Sequence, residues 1–316
     1  MTVTELLTQC LEIVVAVAAA PLFLGWINQC RAWLQNRRPP SVLQPYRIIH
    51  KLFNKDAVIA TNASALFRSA PYIVFAAMTL AAAIIPSMGT RLPFTVAADA
   101  IALVGLLATA RVFMALAAMD IGTAFGTLGA RREMMVGFLA EPALLMVIFV
   151  ASLISATTSL PAISEHLTTE AIGLYPSLAF TAVAFTMVLL AENARIPVDN
   201  PATHLELTMI HEAMLLEYSA RHLALMEWAA ALKLFNYACI GFALFVPWGI
   251  AAGATAPSAL LVALPVLGLK LMVAGGGLAL IETVSAKLRV FRAPEFLATA
   301  FLFAVLGLLV HLLLGA

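Results

Sequence analysis

Several ionisable side chains of this sequence occur inside segments that are otherwise apolar. Arg111, Glu141, Lys233 and Lys270 each lie well within such a segment. An unpaired charge in apolar surroundings is costly, so each of these groups requires a partner, a wet cavity or a function. Two interpretations stay open: salt bridges that only hold helices together, or a series of buried acids and bases that relays protons.

The highest density of carboxylates occurs in the segment 192–227. The six carboxylates are Glu192, Asp199, Glu206, Glu212, Glu217 and Glu227. Leucine, isoleucine and methionine residues are interleaved with them, so part of the segment must be buried. Clustered, partly buried carboxylates raise one another's pKa values, which suits proton uptake and release near neutrality. A solvated acidic face is the simpler alternative, and Glu192, like Asp99, Asp120 and Glu282, also fits a position at the end of an apolar segment.

Metal and haem sites find little support in the sequence. The three cysteines are far apart, and no C-x-x-C motif is present for an Fe–S cluster or a zinc ribbon. Only one histidine, His311, lies inside an apolar segment, whereas a membrane b-type haem requires facing histidines. We therefore predict no metal and no cofactor in this chain, with a histidine site in 192–227 as a minor alternative.

Composition indicates which elements carry these groups. The 316 residues are 63% hydrophobic and 11% charged, and a mean hydropathy of +0.99 is too high for an aqueous fold. The net charge of +1 gives no argument for nucleic-acid binding. We predict an all-α integral membrane protein in one domain, with the lipid bilayer as its surroundings. Eight apolar runs of membrane length are predicted at 6–28, 70–88, 97–119, 136–156, 171–191, 228–251, 258–281 and 296–314.

Basic residues are distributed unevenly between the connections. Fourteen of them fall in the odd-numbered connections, whereas Arg91 is alone on the opposite side. By the positive-inside rule the odd-numbered loops are cytoplasmic, and both termini face the outer, periplasmic side.

Two of these loops have helical patterns. In residues 39–56, apolar side chains recur at helical spacing, with Arg47 and Lys51 on another face. This pattern predicts an amphipathic helix, lying on the membrane surface or docking a partner subunit. In the acidic loop 192–227, Pro201 and the Thr203-x-x-Glu206 capping box predict the start of a helix that continues through Glu212 and Glu217.

The acidic segment also carries a family resemblance. Residues 191–219 read A-E-N-A-R-I-P-V-D-N-P-A-T-H-L-E…H-E-A-M-L-L-E-Y-S. They resemble the A-E-x-N-R-x-P-F-D-x-P-E-x-E-S-E…E-Y-S signature of the complex I heel subunit (subunit 1, or H-type). Leu128–Arg132 with Glu141 is similar to its L-G-A-x-R…Y-E element, and residues 39–56 are similar to its first loop.

Within this superfamily the sequence resembles the hydrogenase branch. H-E-A-M at 211–214 and A-K-L-R-V-F-R-x-P at 286–294 are similar to the membrane anchors of [NiFe] hydrogenases of the formate hydrogenlyase and hydrogenase-4 types. The sequence departs from the quinone-using branch, because Val198 replaces phenylalanine and Thr203-His204 replaces an acidic stretch.

The resemblance implies a membrane anchor that is itself non-catalytic and couples electron transfer to proton translocation in a bacterial or archaeal cytoplasmic membrane. Its implied partners are a [NiFe] hydrogenase large subunit, Fe–S relay subunits and an antiporter-like membrane subunit, and the Ni-Fe and Fe-S centres would lie in those partners. The implied coupling residues are Glu141, Glu192, Arg195, Asp199, Glu206, Glu212 and Glu217. The basic residues expected to dock partners are Arg37, Arg38, Arg47, Lys51, Lys287, Arg289 and Arg292.

Two other functions stay open at this point. A quinone-reducing heel subunit of complex I would show quinone-dependent activity. An independent secondary transporter would work alone in proteoliposomes, whereas an anchor would be inert without its partners.

Overall fold

A computed structural model describes residues 3–96, 99–169, 175–199, 209–251 and 257–314, which fold almost entirely as helices. The α-helices are α1 Val3–Leu34, α2 Gln44–Phe53, α3 Ala65–Ile84, α4 Ala100–Asp120, α5 Ala124–Ser155, α6 Leu160–Thr169, α7 Pro176–Glu192, α8 His211–Leu215, α9 Ala220–Phe245, α10 Pro257–Val284 and α11 Ala293–Leu314. Short 3₁₀ turns cover Pro93–Val96 and Val290–Arg292.

Eight of these helices account for the predicted spans. Within the described part of the chain, α1, α3, α4, α5, α9, α10 and α11 are long and apolar enough to cross a membrane. The remaining one, α7, is apolar but has only 17 residues. It is therefore about 26 Å long, slightly short of a hydrocarbon core of about 30 Å. The predicted all-α membrane fold with about eight spans is confirmed.

Two helices begin at least eight residues before the apolar runs predicted for them. Helix α5 starts at Ala124 rather than at 136, and the Thr123 hydroxyl caps it by accepting a hydrogen bond from the Gly126 amide. Helix α9 starts at Ala220 rather than at 228. Charged residues end an apolar run without interrupting backbone hydrogen bonding, so hydropathy finds the apolar core of a helix and misses its charged end.

Helix α2 packs against the protein with its apolar side. It covers 44–53 of the predicted 39–56, and Pro45 and Ile49 are its buried residues. The Phe53 ring meets the Trp228 ring of α9 edge-on, with 6.4 Å between centroids. The predicted amphipathic helix is thus present, and its apolar face lies on α1 and α9.

The acidic loop is helical over one described turn, α8, which ends at Leu215 before Glu217. The predicted capping box and Glu206 lie outside the described residues. The Gly129 position of α5 packs against α8 so closely that a Cβ there would be 2.8 Å from the Ala213 Cβ. Arg132 of α5 also donates a hydrogen bond of 2.7 Å to the Met209 carbonyl, so α5 positions this segment.

Candidate functional site

Four helices bring charged side chains together inside the bundle. Helix α5 packs between α4 and α7, and α9 packs against α3 and α7. Their facing surfaces place five residues in one group, which we call the ion-pair cluster: Arg111 of α4, Glu133 and Glu141 of α5, Glu192 of α7 and Lys233 of α9.

Arg111 is the centre of the ion-pair cluster. Its side chain is only 3% exposed. One terminal nitrogen, Nη1, donates to Glu141 and the other, Nη2, donates to Glu192. The Nε atom lies 3.7 Å from a carboxylate oxygen of Glu133. A single guanidinium therefore faces three carboxylates from two helices.

Glu192 is the most enclosed carboxylate of the cluster. Its side chain is 1% exposed, and its Oε2 atom lies 3.0 Å from the Lys233 ammonium. The buried side chain of Tyr237 also lies beside Glu192. Glu141 is different, because its side chain is 34% exposed. The cluster therefore contains a shielded carboxylate and a more accessible one.

The formal charges of the ion-pair cluster do not cancel. Three carboxylates face two cations, so the fully ionised cluster carries a charge of −1. Like charges in a desolvated site disfavour full ionisation. The cluster therefore contains one carboxylate more than its two cations balance.

A second group, the guanidinium pair, consists of Arg31 and Arg195 on either side of Glu282. Arg31 of α1 lies 3.4 Å from one carboxylate oxygen, and Arg195 lies 3.1 Å from the other. Burial lowers the pKa of Arg195, an effect that Glu282 opposes and Arg31 reinforces. Arginine stays cationic at physiological pH, so this pair carries a charge of +1.

A tight turn connects the two groups. Glu192 ends α7, and Arg195 follows three residues later with its backbone amide bonded to the Leu190 carbonyl at 2.8 Å. Ala194 has a φ of 49°, in the left-handed region. The turn thus places the Glu192 side chain in the ion-pair cluster and the Arg195 side chain, three residues later, in the guanidinium pair.

Asp199 fixes the connections beside these groups. One of its oxygens lies 3.4 Å from the Lys287 ammonium, and the other accepts a hydrogen bond from the His211 amide at 3.3 Å. The Leu288 amide donates to the Pro197 carbonyl at 2.8 Å. Asp199 therefore ties the start of α8 to the connection between α10 and α11.

A cavity of about 420 Å³ opens onto both groups. Its wall includes part of α1, the segment 40–49 and the middle of α9, and it lies toward the end of the bundle that carries the basic loops. The charged residues that line it are Arg31, Glu192, Arg195, Asp199, Glu212, Glu227 and Lys233. The cavity is large enough for a small organic ligand or for a group of water molecules.

The structure brings most of the predicted coupling residues to this place. Glu192, Arg195, Asp199 and Glu212 line the cavity, and Glu141 joins them through Arg111. Glu217 is exposed and does not line the cavity, because α8 ends before it.

The remaining predicted ionisable residues have other surroundings. Lys270 lies apart, with its ammonium 2.6 Å from the Val246 carbonyl and over the Phe242 ring. Asp99 caps α4, and Asp120 accepts a hydrogen bond from the Ser64 amide at 2.9 Å. Both carboxylates therefore occupy the ends of helices.

Sequence reasoning missed several members of the site. Glu133 lies directly after Arg131-Arg132, outside the predicted apolar run, and Arg31 contributes to the sequence analysis only as a basic residue of a loop. Tyr237 lies inside an apolar segment, where nothing in the sequence marks it as a site residue. Glu282 fitted an interfacial position, yet its side chain is 1% exposed and holds both guanidinium groups. The only available signal was helical spacing, since Glu133 and Glu141 are eight residues apart on α5.

The residues predicted to dock partners are mostly exposed. Six of the seven are exposed: Arg37, Arg38, Arg47, Lys51, Arg289 and Arg292. Lys287 is half-buried against Asp199. Among the residues that the structure describes, no three His, Cys, Asp or Glu side chains lie close enough together to hold a metal ion.

Comparisons with known proteins agree with this architecture. Hydrogenase-4 component C of Escherichia coli (strain K12) is 37% identical over 242 residues, covering 75% of this chain and 74% of that protein. Formate hydrogenlyase subunit 4 of the same organism is 34% identical over 301 residues, covering 94% of this chain and 95% of that protein.

The fold and the family are matched over almost the whole length. A chain of the membrane-bound sulfane sulfur reductase, an archaeal respiratory membrane complex, has a TM-score of 0.82 at 20% identity, covering 96% of this chain and 98% of that one. The family model described as NADH dehydrogenase matches residues 8–313. The predicted resemblance to complex I subunit 1 is therefore confirmed, and the chain belongs to the NADH dehydrogenase family.

Proposed function

We propose that this multi-pass membrane protein is the membrane-anchor and proton-coupling subunit of a membrane-bound [NiFe] hydrogenase complex of the formate hydrogenlyase type. The two curated relatives, by their names, belong to hydrogenase-4 and formate hydrogenlyase. The observation that carries the coupling role is the ion-pair cluster, a site with three carboxylates and two cations, beside a cavity that several charged residues line.

In this proposal the chain moves protons and the partner subunits move electrons. A negative charge that arrives near the cavity wall favours protonation of the cluster. At a separation of 10 Å and an effective dielectric constant of 20, the interaction is about 1.7 kcal/mol, or more than one pKa unit. A charge that does not enter the membrane can therefore change the protonation of the site.

The family and the charge of the surface support a proposal for the partner subunits. We propose a nickel–iron catalytic subunit and Fe–S relay subunits above the basic end of the bundle, and an antiporter-like membrane subunit beside it. The exposed basic residues, including Arg47 and Arg289, suit an acidic partner surface. The redox centres belong to those partners, and the basic loops favour an orientation in the cytoplasmic membrane with both termini outside.

Two other functions are less well supported. The 420 Å³ cavity has the size of a ligand pocket, which suits a quinone. The hydrogenase-type relatives and the departures at Val198 and Thr203-His204 weigh against a quinone site. An independent transporter is also disfavoured, because the relatives are named as components or subunits of larger complexes.

The substitution Glu141→Gln tests the coupling role, because glutamine keeps the shape but does not ionise. We expect normal subunit content and normal hydrogen evolution with an artificial electron donor, but lower turnover with the physiological donor. Glu295→Gln is the control, since Glu295 is exposed at the start of α11. Unchanged physiological turnover in Glu141→Gln membranes would contradict the proposal.

A further inference from the structure

Arg111 lies across the backbone of α5 at Gly137. Glu133 precedes Gly137 by four residues, and Glu141 follows it by four, so the three positions share one face of the helix. A Cβ on Gly137 would collide with the Arg111 guanidinium. The glycine therefore forms a notch that seats the cation between two carboxylates of the same helix.

The two carboxylates bind Arg111 unequally. Glu141 accepts a hydrogen bond from Nη1, whereas the buried Nε atom has no hydrogen-bond partner among the described residues and lies 3.7 Å from Glu133. A hydrogen bond between nitrogen and oxygen extends to about 3.2 Å, so a shift of about 0.5 Å would form one to Glu133. A second arrangement of the guanidinium is therefore close to the one observed.

The exposures of the two carboxylates differ as well. The Glu141 side chain is 34% exposed and the Glu133 side chain is 7% exposed. Glu141 is therefore the one placed to exchange protons with water. For structure alone, Glu141 and Glu192 already balance the charges of Arg111 and Lys233, and a third buried carboxylate only adds repulsion. Glu133 is accommodated at lower cost if Glu141 is protonated for part of the cycle.

We propose that Glu133 is a further proton-coupling residue, which takes over Arg111 when Glu141 is protonated. This inference rests on the proposed function. A proton that binds Glu141 removes its negative charge, and the guanidinium moves along the Gly137 notch to Glu133 while it keeps Glu192. Loss of the same proton from Glu141 reverses the movement, so the cycle adds and releases one proton. The other titratable groups that face Arg111 in the described structure are Tyr237, Lys233 and His211.

A pair of substitutions at Glu133 separates this role from a structural one. Glu133→Gln keeps the shape and removes the charge, whereas Glu133→Asp keeps the charge and shortens the side chain. We expect Gln to lower turnover with the physiological donor by about tenfold or more, with activity from an artificial donor unchanged, and Asp to restore most of it. The reverse order, with Gln close to wild type and Asp impaired, would overturn the inference.

The notch provides an independent test. Gly137→Ala places a methyl group where Arg111 lies, and we expect the same loss of physiological turnover. Gly105→Ala on α4 is the matched control, because a Cβ there meets nothing within 4 Å. Wild-type turnover in Gly137→Ala membranes would overturn the inference. If the Gly137→Ala subunit does not assemble, the comparison of Glu133→Gln with Glu133→Asp tests the inference by itself.

Glu141→Gln, measured in parallel, separates the two proposals. If it lowers physiological turnover and the Glu133 variants do not, only the role of Glu133 fails. If Glu141→Gln has no effect, the proposed function itself fails.

Discussion

Glu192 illustrates how the surroundings of a single residue depend on its neighbours in the fold. In the sequence it follows an apolar segment and fits an interfacial position equally well. In the structure it lies between Arg111 and Lys233, which come from helices distant in sequence. Its type and its place at the end of a span could be read from the sequence. Its partners could not, because they depend on which faces of α4, α7 and α9 meet.

The different exposures of Glu192 and Glu141 predict different costs of neutralisation. Glu192→Gln leaves two buried cations without their shared carboxylate, which destabilises a protein by about 3–5 kcal/mol. Glu141→Gln removes a carboxylate that water partly reaches, so its cost is smaller. We expect a lower unfolding midpoint and less subunit in membranes for Glu192→Gln, measured by thermal unfolding in detergent and immunoblotting. Equal losses in the two variants would contradict this prediction.

At the scale of elements, the sequence predicted the apolar middle part of each helix better than the contacts between helices. Each predicted span matches one helix, because a bilayer requires about 20 apolar residues whatever the neighbours are. The charged starts of α5 and α9 were missed, and with them Glu133. The amphipathic helix was predicted from its period, but its seat on α1 and α9 depends on the close approach of Gly25 to the segment before α2.

Gly25 of α1 provides a test of that seat. A Cβ on Gly25 would collide with the Val42 carbonyl oxygen, which is backbone and has little freedom to move. We expect Gly25→Ala to lift the segment 40–49 from the cavity and to lower stability by about 1–3 kcal/mol. Thermal unfolding of the purified subunit measures the change. Gly276→Ala is the control, because a Cβ there has no neighbour within 4 Å, and an equal effect in both variants would contradict the argument.

For the whole molecule, the charge of the loops predicts an orientation. On a cysteine-free background, we expect a membrane-impermeant thiol reagent to label Glu165→Cys from outside the cell. Arg289→Cys should react only after permeabilisation. The physical reason is the excess of basic residues in the odd-numbered loops, because short basic loops are retained in the cytoplasm. The opposite labelling pattern would contradict the orientation.

The ligand inventory of the whole chain predicts its metal content. The cysteines are widely spaced, and facing histidines are absent from the apolar segments of the sequence. We expect the purified subunit to contain less than stoichiometric nickel, iron and zinc by elemental analysis, and no haem or Fe–S absorbance. One tightly held metal ion per chain after washing would contradict this prediction.

The shortness of α7 has an electrical consequence. Its 17 residues end at Glu192, and the cavity reaches that carboxylate from the basic end of the bundle. A proton that travels through a wet cavity crosses little of the membrane potential there, and the rest of the voltage falls over the remaining thickness. A full crossing is worth about 2.3 kcal/mol per charge at 100 mV. Entry of a proton through the cavity would therefore depend weakly on voltage, whereas its release to the opposite side would carry most of the work.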